Sequence, residues 1–149
     1  MAARVRALLS EDLESVLEIE AGSPEAAQWS QKDYQALLQS GAQGWIAAGE
    51  NGILGFLVMR RIADEMEILN LAVASPSRRK GIGSLLLREA LSWARQNWIA
   101  NVHLEVRASN HAARQFYEAH GFRATGLRPG YYSNPPEDAV LLTCLVAEK

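Results

Sequence analysis

Asn70-Leu71-Ala72-Val73, then Ser75-Pro76, then Arg78-Arg79-Lys80-Gly81-Ile82-Gly83-Ser84 is the stretch on which the fold turns. The apolar run Met66 to Val73 reads as a strand and meets a Ser-Pro breaker. Apolar residues then recur at helical spacing through Leu86, Leu87, Ala90, Leu91, Ala94 and Trp98, so a long helix starts close to Gly81. Unpaired N–H groups at a helix start, glycines that admit close backbone approach and adjacent cations together make an anion site suited to a pyrophosphate. A solvated basic turn ahead of a glycine-relaxed helix start accounts for the six residues Arg78 to Gly83 equally well. The pattern is not a Walker loop, because no Gly-Lys-Ser/Thr follows. Nor is it G-x-G-x-x-G, because Leu86 stands where the third glycine belongs.

Downstream, Val102, Leu104 and Val106 alternate with His103, Glu105 and Arg107, the signature of a half-buried strand. An amphipathic helix follows through Ala112, Ala113, Phe116, Tyr117 and His120, stopped by Gly121, and strands are predicted at Phe122 to Thr125 and Ala139 to Val146. Upstream, Val5 to Leu9 reads as a short strand. Ser10 is the expected N-cap of a helix whose buried stripe is Leu13, Val16 and Leu17. Ser30 with Asp33 forms the outline of a capping box, and Trp29 is placed to staple against Tyr34 in a helix that ends near Gly41. Asn51-Gly52 between the runs Trp45 to Ala48 and Ile53 to Arg61 is a hairpin signal. The order of elements is mixed α/β.

The 149 residues fit one domain of roughly 100–200 residues, read as a single unit over 1–149. With 48% hydrophobic and 21% charged residues, the chain is neither disordered nor fibrous. Its formal charge of −2 supplies no global positive field for a polyanion, so direct nucleic-acid binding is not expected and phosphate binding has to be local. One cysteine, Cys144, excludes an internal disulfide, and with three histidines it offers no zinc spacing, so no metal is expected. No apolar run approaches the ~20 residues of a membrane span, and the N-terminus lacks a signal-peptide core. A cytoplasmic protein is the expectation.

Several side chains are candidates for chemistry. Glu105, flanked by Leu104 and Val106, is placed for partial desolvation, the condition under which a carboxylate takes a proton near neutral pH. An ordinary strand carboxylate paired with His103 or Arg107 is the plainer reading. Tyr117 is either a core aromatic or, since its helix follows Glu105, a second group facing the same cleft. Asn110 is first a helix N-cap, although a cap side chain can also serve a ligand. Tyr131 and Tyr132 lie in a Gly- and Pro-bearing loop, Arg128 to Asp138, where aromatics pin the loop or contact a substrate. No serine sits in a nucleophile elbow and Cys144 has no nearby histidine in sequence, so covalent catalysis has no candidate.

Taken in order, Asn70-Leu71-Ala72-Val73, Arg78-x-x-Gly81-x-Gly83, Leu104-Glu105-Val106-Arg107-x-x-Asn110 and Phe116-Tyr117-Glu118-x-x-Gly121-Phe122 resemble the GNAT superfamily of N-acetyltransferases. The combination is far more specific than any part. The resemblance covers nearly the whole chain. Together with Tyr131-Tyr132 and Glu137-Asp138-Ala139, it is strongest to the bacterial branch that acetylates ribosomal-protein N-terminal alanines.

The resemblance implies an α/β (α+β) fold with a mixed, mostly antiparallel sheet whose two central parallel strands splay to admit the cosubstrate, acetyl-coenzyme A. By position, Leu71, Ala72 and Val73 would meet that cosubstrate along the strand. Arg78, Arg79, Lys80, Gly81, Ile82, Gly83 and Ser84 would hold its pyrophosphate, and Asn110 would add a further contact. Glu105 matches the proton acceptor and Tyr117 the proton donor. Trp29, Tyr131 and Tyr132 would border the acceptor, a protein N-terminus and in particular that of a ribosomal protein. A lysine or small-amine acetyltransferase and a non-catalytic coenzyme-A-binding module are the alternatives. Gln28 departs from the pattern, which usually has Pro before this Trp, and so leaves acceptor choice open.

Overall fold

The hairpin at Asn51-Gly52 seeds the sheet. In the computed structural model, which describes residues 3–78 and 80–146, β2 (Gln43–Gly49) and β3 (Gly52–Ile62) pair antiparallel across this turn, with Gly52 at φ 129° where an L side chain is strained. β1 (Arg4–Ala7) adds outside β2, and β4 (Glu65–Val73) adds antiparallel to β3. β5 (Asn101–Arg107) then runs parallel to β4, and β7 (Glu137–Leu145) and β6 (Arg123–Tyr132) complete the order β1-β2-β3-β4-β5-β7-β6.

Helices cover the two faces unequally. On one face α3 (Ile82–Gln96) presents Ile82, Leu86, Leu87, Ala90 and Ala94 in a buried stripe. These side chains join Leu57, Met59, Met66, Val102, Leu104 and Val106 in the larger core, together with Tyr117 from α4 (His111–Ala119). On the other face α1 (Leu13–Ala21) and α2 (Gln31–Gln39) pack Leu13, Val16 and Tyr34 against Ile46, Phe56, Val58 and Ala72. Because strand side chains alternate, His103, Glu105 and Arg107 emerge on this second face, opposite the α3 core.

Several local expectations hold. Ser30 Oγ accepts from the Asp33 N–H at 3.1 Å, Asp33 accepts from the Ser30 N–H at 2.9 Å, and the Trp29 and Tyr34 rings lie 6.1 Å apart. Others need correction. Ser10 opens a short 3-10 turn and does not cap α1. Asp12 does the local work instead, accepting from the Leu9 N–H and pairing with Arg6 at 2.8 Å. Trp98 is not on the α3 stripe: the helix ends at Gln96, Trp98 is left-handed at φ 62° and 73% exposed, and the next residue, Ile99, takes the buried place. The segment expected to be a loop from Arg128 to Asp138 is largely strand. β6 continues to Tyr132, and a register shift between Arg128 and Tyr132 absorbs Pro129 and Gly130.

No helix among the described residues is long and apolar enough to cross a membrane. No cluster of His, Cys, Asp and Glu among them is arranged to hold a metal ion.

Candidate functional site

The site begins where two parallel strands stop pairing. β4 and β5 are in register only at Glu65 with Asn101, Met66 with Val102 and Glu67 with His103. Beyond Glu67, β5 gives β4 no ladder partner, so the seam of the sheet is open along residues 68–73. A bulge lies at the same place: Val58 faces Asn70 while Met59 faces Ile68, which leaves Leu69 as the extra residue on β4. The bulge switches which residues face which core. Met66 and Ile68 lie with α3, whereas Ala72 lies with α1 and α2, and Leu71 and Val73 pack against the α3 core.

At the end of β4 the chain turns into α3. Gly81 caps the helix in the left-handed region at φ 82°, and its carbonyl takes the first helical bond from the Leu85 N–H at 3.1 Å. The N–H groups of Ile82, Gly83 and Ser84 belong to the first turn, which an α-helix leaves without internal acceptors. A Cβ on Gly83 would sit 3.3 Å from Cζ of Phe116 and 3.9 Å from Cγ2 of Val73. The helix start, the end of β4 and α4 therefore converge on one spot, and no side chain fills it from Gly83. A Cβ on Gly81 would meet no described atom within 4 Å. Free backbone donors, a helix N-terminus and open space beside Gly81 suit a pyrophosphate group.

The basic residues of this turn divide by role. Arg78 is engaged internally: Nε donates to the Val73 carbonyl at 3.0 Å, and a terminal nitrogen donates to the Gly22 carbonyl and to Ser23 Oγ, each at 2.9 Å. It clamps the segment between α1 and α2 to β4. Lys80 is exposed, and Arg79 lies outside the described residues. Asn110 is the cap expected of it, its side chain accepting from the Ala113 N–H at 3.2 Å.

Glu105 stands on the other face, its side chain 11% exposed. Its partner is neither His103 nor Arg107. Nε of Arg128, from β6, lies 2.7 Å from Glu105 Oε2, yet that buried oxygen has no aligned hydrogen bond. His103 turns instead to Glu65 at 3.5 Å. Tyr131 and Tyr132 flank the carboxylate, and both phenols are raised above the ordinary tyrosine range, first by burial and then by the Glu105 charge. Glu105, Arg128, Glu65, Glu67, His103 and Thr143 line part of an open cleft of about 390 Å³.

Tyr117 is on the opposite side of the sheet, 8% exposed, in edge contact with Phe116 and Phe122. Its hydroxyl makes no hydrogen bond to a described residue. Burial pushes its phenol well above the usual range. No contact joins Tyr117 to Glu105; the two lie on opposite faces of the sheet.

Arg107 and Glu137, for which the sequence suggested no such role, hold this arrangement together. Arg107 donates to the carbonyl of Pro135 at 2.9 Å and pairs with Glu137 at 3.3 Å, and its guanidinium lies 4.3 Å from the Tyr132 ring centroid. Glu137 also accepts from the Ser109 N–H, and these bonds hold its carboxyl below the usual range. The β6–β7 hairpin is thus tied to β5. Between α1 and α2, Gln28 donates to the carbonyls of Glu20, Ser23 and Ala26 at 3.1, 3.3 and 3.1 Å, shaping its own loop. Trp29 leans on Tyr34, and Tyr34 donates to the buried Glu20 carboxylate and accepts from Asn70.

Comparison with known proteins adds the following. The model of the Acetyltransferase (GNAT) family matches residues 5–122. A Bacillus subtilis protein provisionally assigned as a ribosomal protein bS18-alanine N-acetyltransferase is 30% identical over 98% of this chain and 97% of its own. The crystal structure of the ribosomal-protein-S18-alanine N-acetyltransferase from Escherichia coli matches with a TM-score of 0.89 at 26% identity, over 99% of this chain and 96% of that one. Ard1 from Thermoplasma volcanium matches with a TM-score of 0.89 at 31% identity, over 99% of this chain and all (100%) of that one.

Proposed function

The chain belongs to the acetyltransferase (GNAT) family and is an acetyl-coenzyme-A-dependent N-acetyltransferase. From that premise we propose that its acceptor is a protein N-terminal amine, the N-terminal alanine of a small-subunit ribosomal protein. The names of the Bacillus subtilis and Escherichia coli relatives support this acceptor. The observation that carries the reading is Glu105, a nearly buried carboxylate flanked by Tyr131 and Tyr132 and lining an open cleft, on a strand whose parallel pairing with β4 stops at Glu67 and His103.

Acetyl-coenzyme A supplies a thioester carbonyl open to attack by an amine. The chain's residues do the rest. The helix start at Gly81, with the N–H groups of Ile82, Gly83 and Ser84, holds the pyrophosphate, and Lys80, Arg79 and Asn110 add polar contacts. The backbone N–H of Val73, along the unpaired seam, meets the negative charge that develops on the carbonyl oxygen, while the Leu71 N–H is held by Asn70 Oδ1; a donor fixed in advance supplies several kcal/mol of this kind of stabilisation. Arg78 fixes that strand end without touching the phosphates.

An α-amino group has a pKa of about 7.7–8, so most of it arrives as the ammonium and a proton must leave before attack. Glu105 takes that proton. A lysine amine near 10.4 would need roughly 3–4 kcal/mol more for the same step. Tyr117, kept protonated by burial, donates to the departing sulfur from the other side of the seam. Trp29, Tyr131 and Tyr132 narrow the acceptor end and favour a small first residue.

The test incubates the pure protein with acetyl-coenzyme A and peptides that vary in their first residue, with N-blocked and lysine-only peptides as controls. Mass spectrometry should find the acetyl group on the α-amine of Ala-initiated peptides. Modification at lysine, with the free N-terminal alanine untouched, overturns the reading.

A further inference from the structure

We infer that Arg128 is an internal stand-in for the acceptor's ammonium group, occupying the carboxylate of Glu105 until a substrate displaces it. The inference rests on the proposal that Glu105 receives the acceptor's amine. Arg128 Nε lies 2.7 Å from Glu105 Oε2, and both residues line the same open cleft. A cation already holds the place that a protonated N-terminus has to take.

The contact is built to be exchanged. Glu105 Oε2 is buried but lacks an aligned hydrogen bond, so the pair is close in distance and poor in direction. The Arg128 side chain is 61% exposed, so its release needs little desolvation or repacking. A second resting place is at hand, since its guanidinium carbon lies 5.4 Å from the Tyr131 ring centroid. The backbone beneath it carries the β6 register shift and Gly130 at φ 62°, where Gly130 N–H is held by Asp138 at 2.8 Å. By contrast Arg107, the other cation nearby, is committed to the hairpin through Pro135 and Glu137. Of the other carboxylates that line the cleft, Glu67 is paired with Arg60 and Glu65 lies beside His103, so Arg128 is the cation that competes at Glu105 itself.

The consequence is selectivity by charge at the first atom of the acceptor. A group that dislodges Arg128 gains the carboxylate, while a neutral, N-blocked terminus gains nothing from the exchange.

Calorimetry on the complex with coenzyme A tests this with two peptides, one with a free N-terminal alanine and one N-acetylated. Arg128→Gln should bind the free peptide about two- to fivefold more tightly, the range for removal of one half-exposed competing ion pair. The acetylated peptide should bind as it does to the parent. Arg128→Lys should behave like the parent, and in Glu105→Gln the further change Arg128→Gln should have no effect. Weaker binding of the free peptide to Arg128→Gln, or equal tightening for both peptides, overturns the assignment. The underlying reading fails separately: if Glu105→Gln turns over at the parental rate while Arg128→Gln still tightens free-peptide binding, the base is another group and the Arg128 contact stands.

Discussion

Asn70 and Ala27, 43 residues apart, hold each other in both directions: Asn70 Nδ2 donates to the Ala27 carbonyl at 2.9 Å, and the Ala27 N–H donates to Asn70 Oδ1 at 3.2 Å. The same amide oxygen also accepts from the Leu71 N–H at 3.1 Å. One buried side chain therefore fixes the segment between α1 and α2 to the strand bulge that borders the open β4–β5 seam. Asn70→Ala should cost about 2–4 kcal/mol in urea unfolding, because several buried polar groups lose partners at once. It should also raise the KM for peptide more than that for acetyl-coenzyme A. A stable variant with unchanged peptide kinetics would separate the loop from acceptor binding.

Glu105→Gln removes a proton acceptor and leaves a side chain of the same shape. We expect the turnover rate to fall about 10²-fold or more near pH 7, with acetyl-coenzyme A affinity intact. Wild-type rates across pH 6–9 would remove Glu105 from the chemistry.

Tyr117→Phe is informative because the hydroxyl has no described partner that its loss would orphan. The fold should stay within about 0.5 kcal/mol of the parent while the rate falls on the order of 10²-fold. The buried phenols of Tyr34 and Tyr117 are both raised, Tyr34 by burial and by its bond to Glu20. Their neutral forms are favoured in the folded state. The stability they contribute is complete below the unfolded tyrosine pKa of about 10 and is lost as pH climbs past it. Urea titrations between pH 9 and 11 should show this decline, and the double variant Tyr34→Phe with Tyr117→Phe should flatten it.

Gly81 and Gly83 separate backbone strain from steric exclusion. Gly81→Ala places a methyl in open space at φ 82°, so the fold should lose about 1–2 kcal/mol from the left-handed conformation. Gly83→Val presses on Phe116, 3.3 Å from the new Cβ, and should disturb both α4 and coenzyme A binding. Affinity measured by calorimetry on the folded fraction distinguishes the two. Unchanged coenzyme A affinity in both variants would contradict the pyrophosphate assignment.

What could be read from the sequence was what acts over a few residues. The Ser30–Asp33 box, the Asn51-Gly52 hairpin, the α3 start at Gly81 and the alternation around Glu105 are each set by neighbours in the chain. Pairings between distant residues were not legible. Arg128 meets Glu105 only because β7 brings β6 beside β5, and Asn70 meets Ala27 only once a bulge turns it toward α2. The errors share this cause. Trp98 keeps helical spacing, but a buried Ile99 ends the helix more favourably. Pro129 and Gly130 look like a loop until pairing of Arg128 with Ala139 and Tyr132 with Glu137 spans them.

The short β4–β5 register also divides the molecule mechanically. Three residue pairs join a four-stranded half to a three-stranded half, helped at the same end by the Ala100 N–H on the Asp64 carbonyl and by Glu65 with Asn101 and His103, and the core beneath α3 also ties them. Hydrogen exchange should then see two units that open independently, with the β5–β7–β6 half opening first because no helix among the described residues packs on its second face. A cosubstrate lying in the seam touches both halves, so its binding should merge the two opening events into one and raise protection far from any atom it contacts.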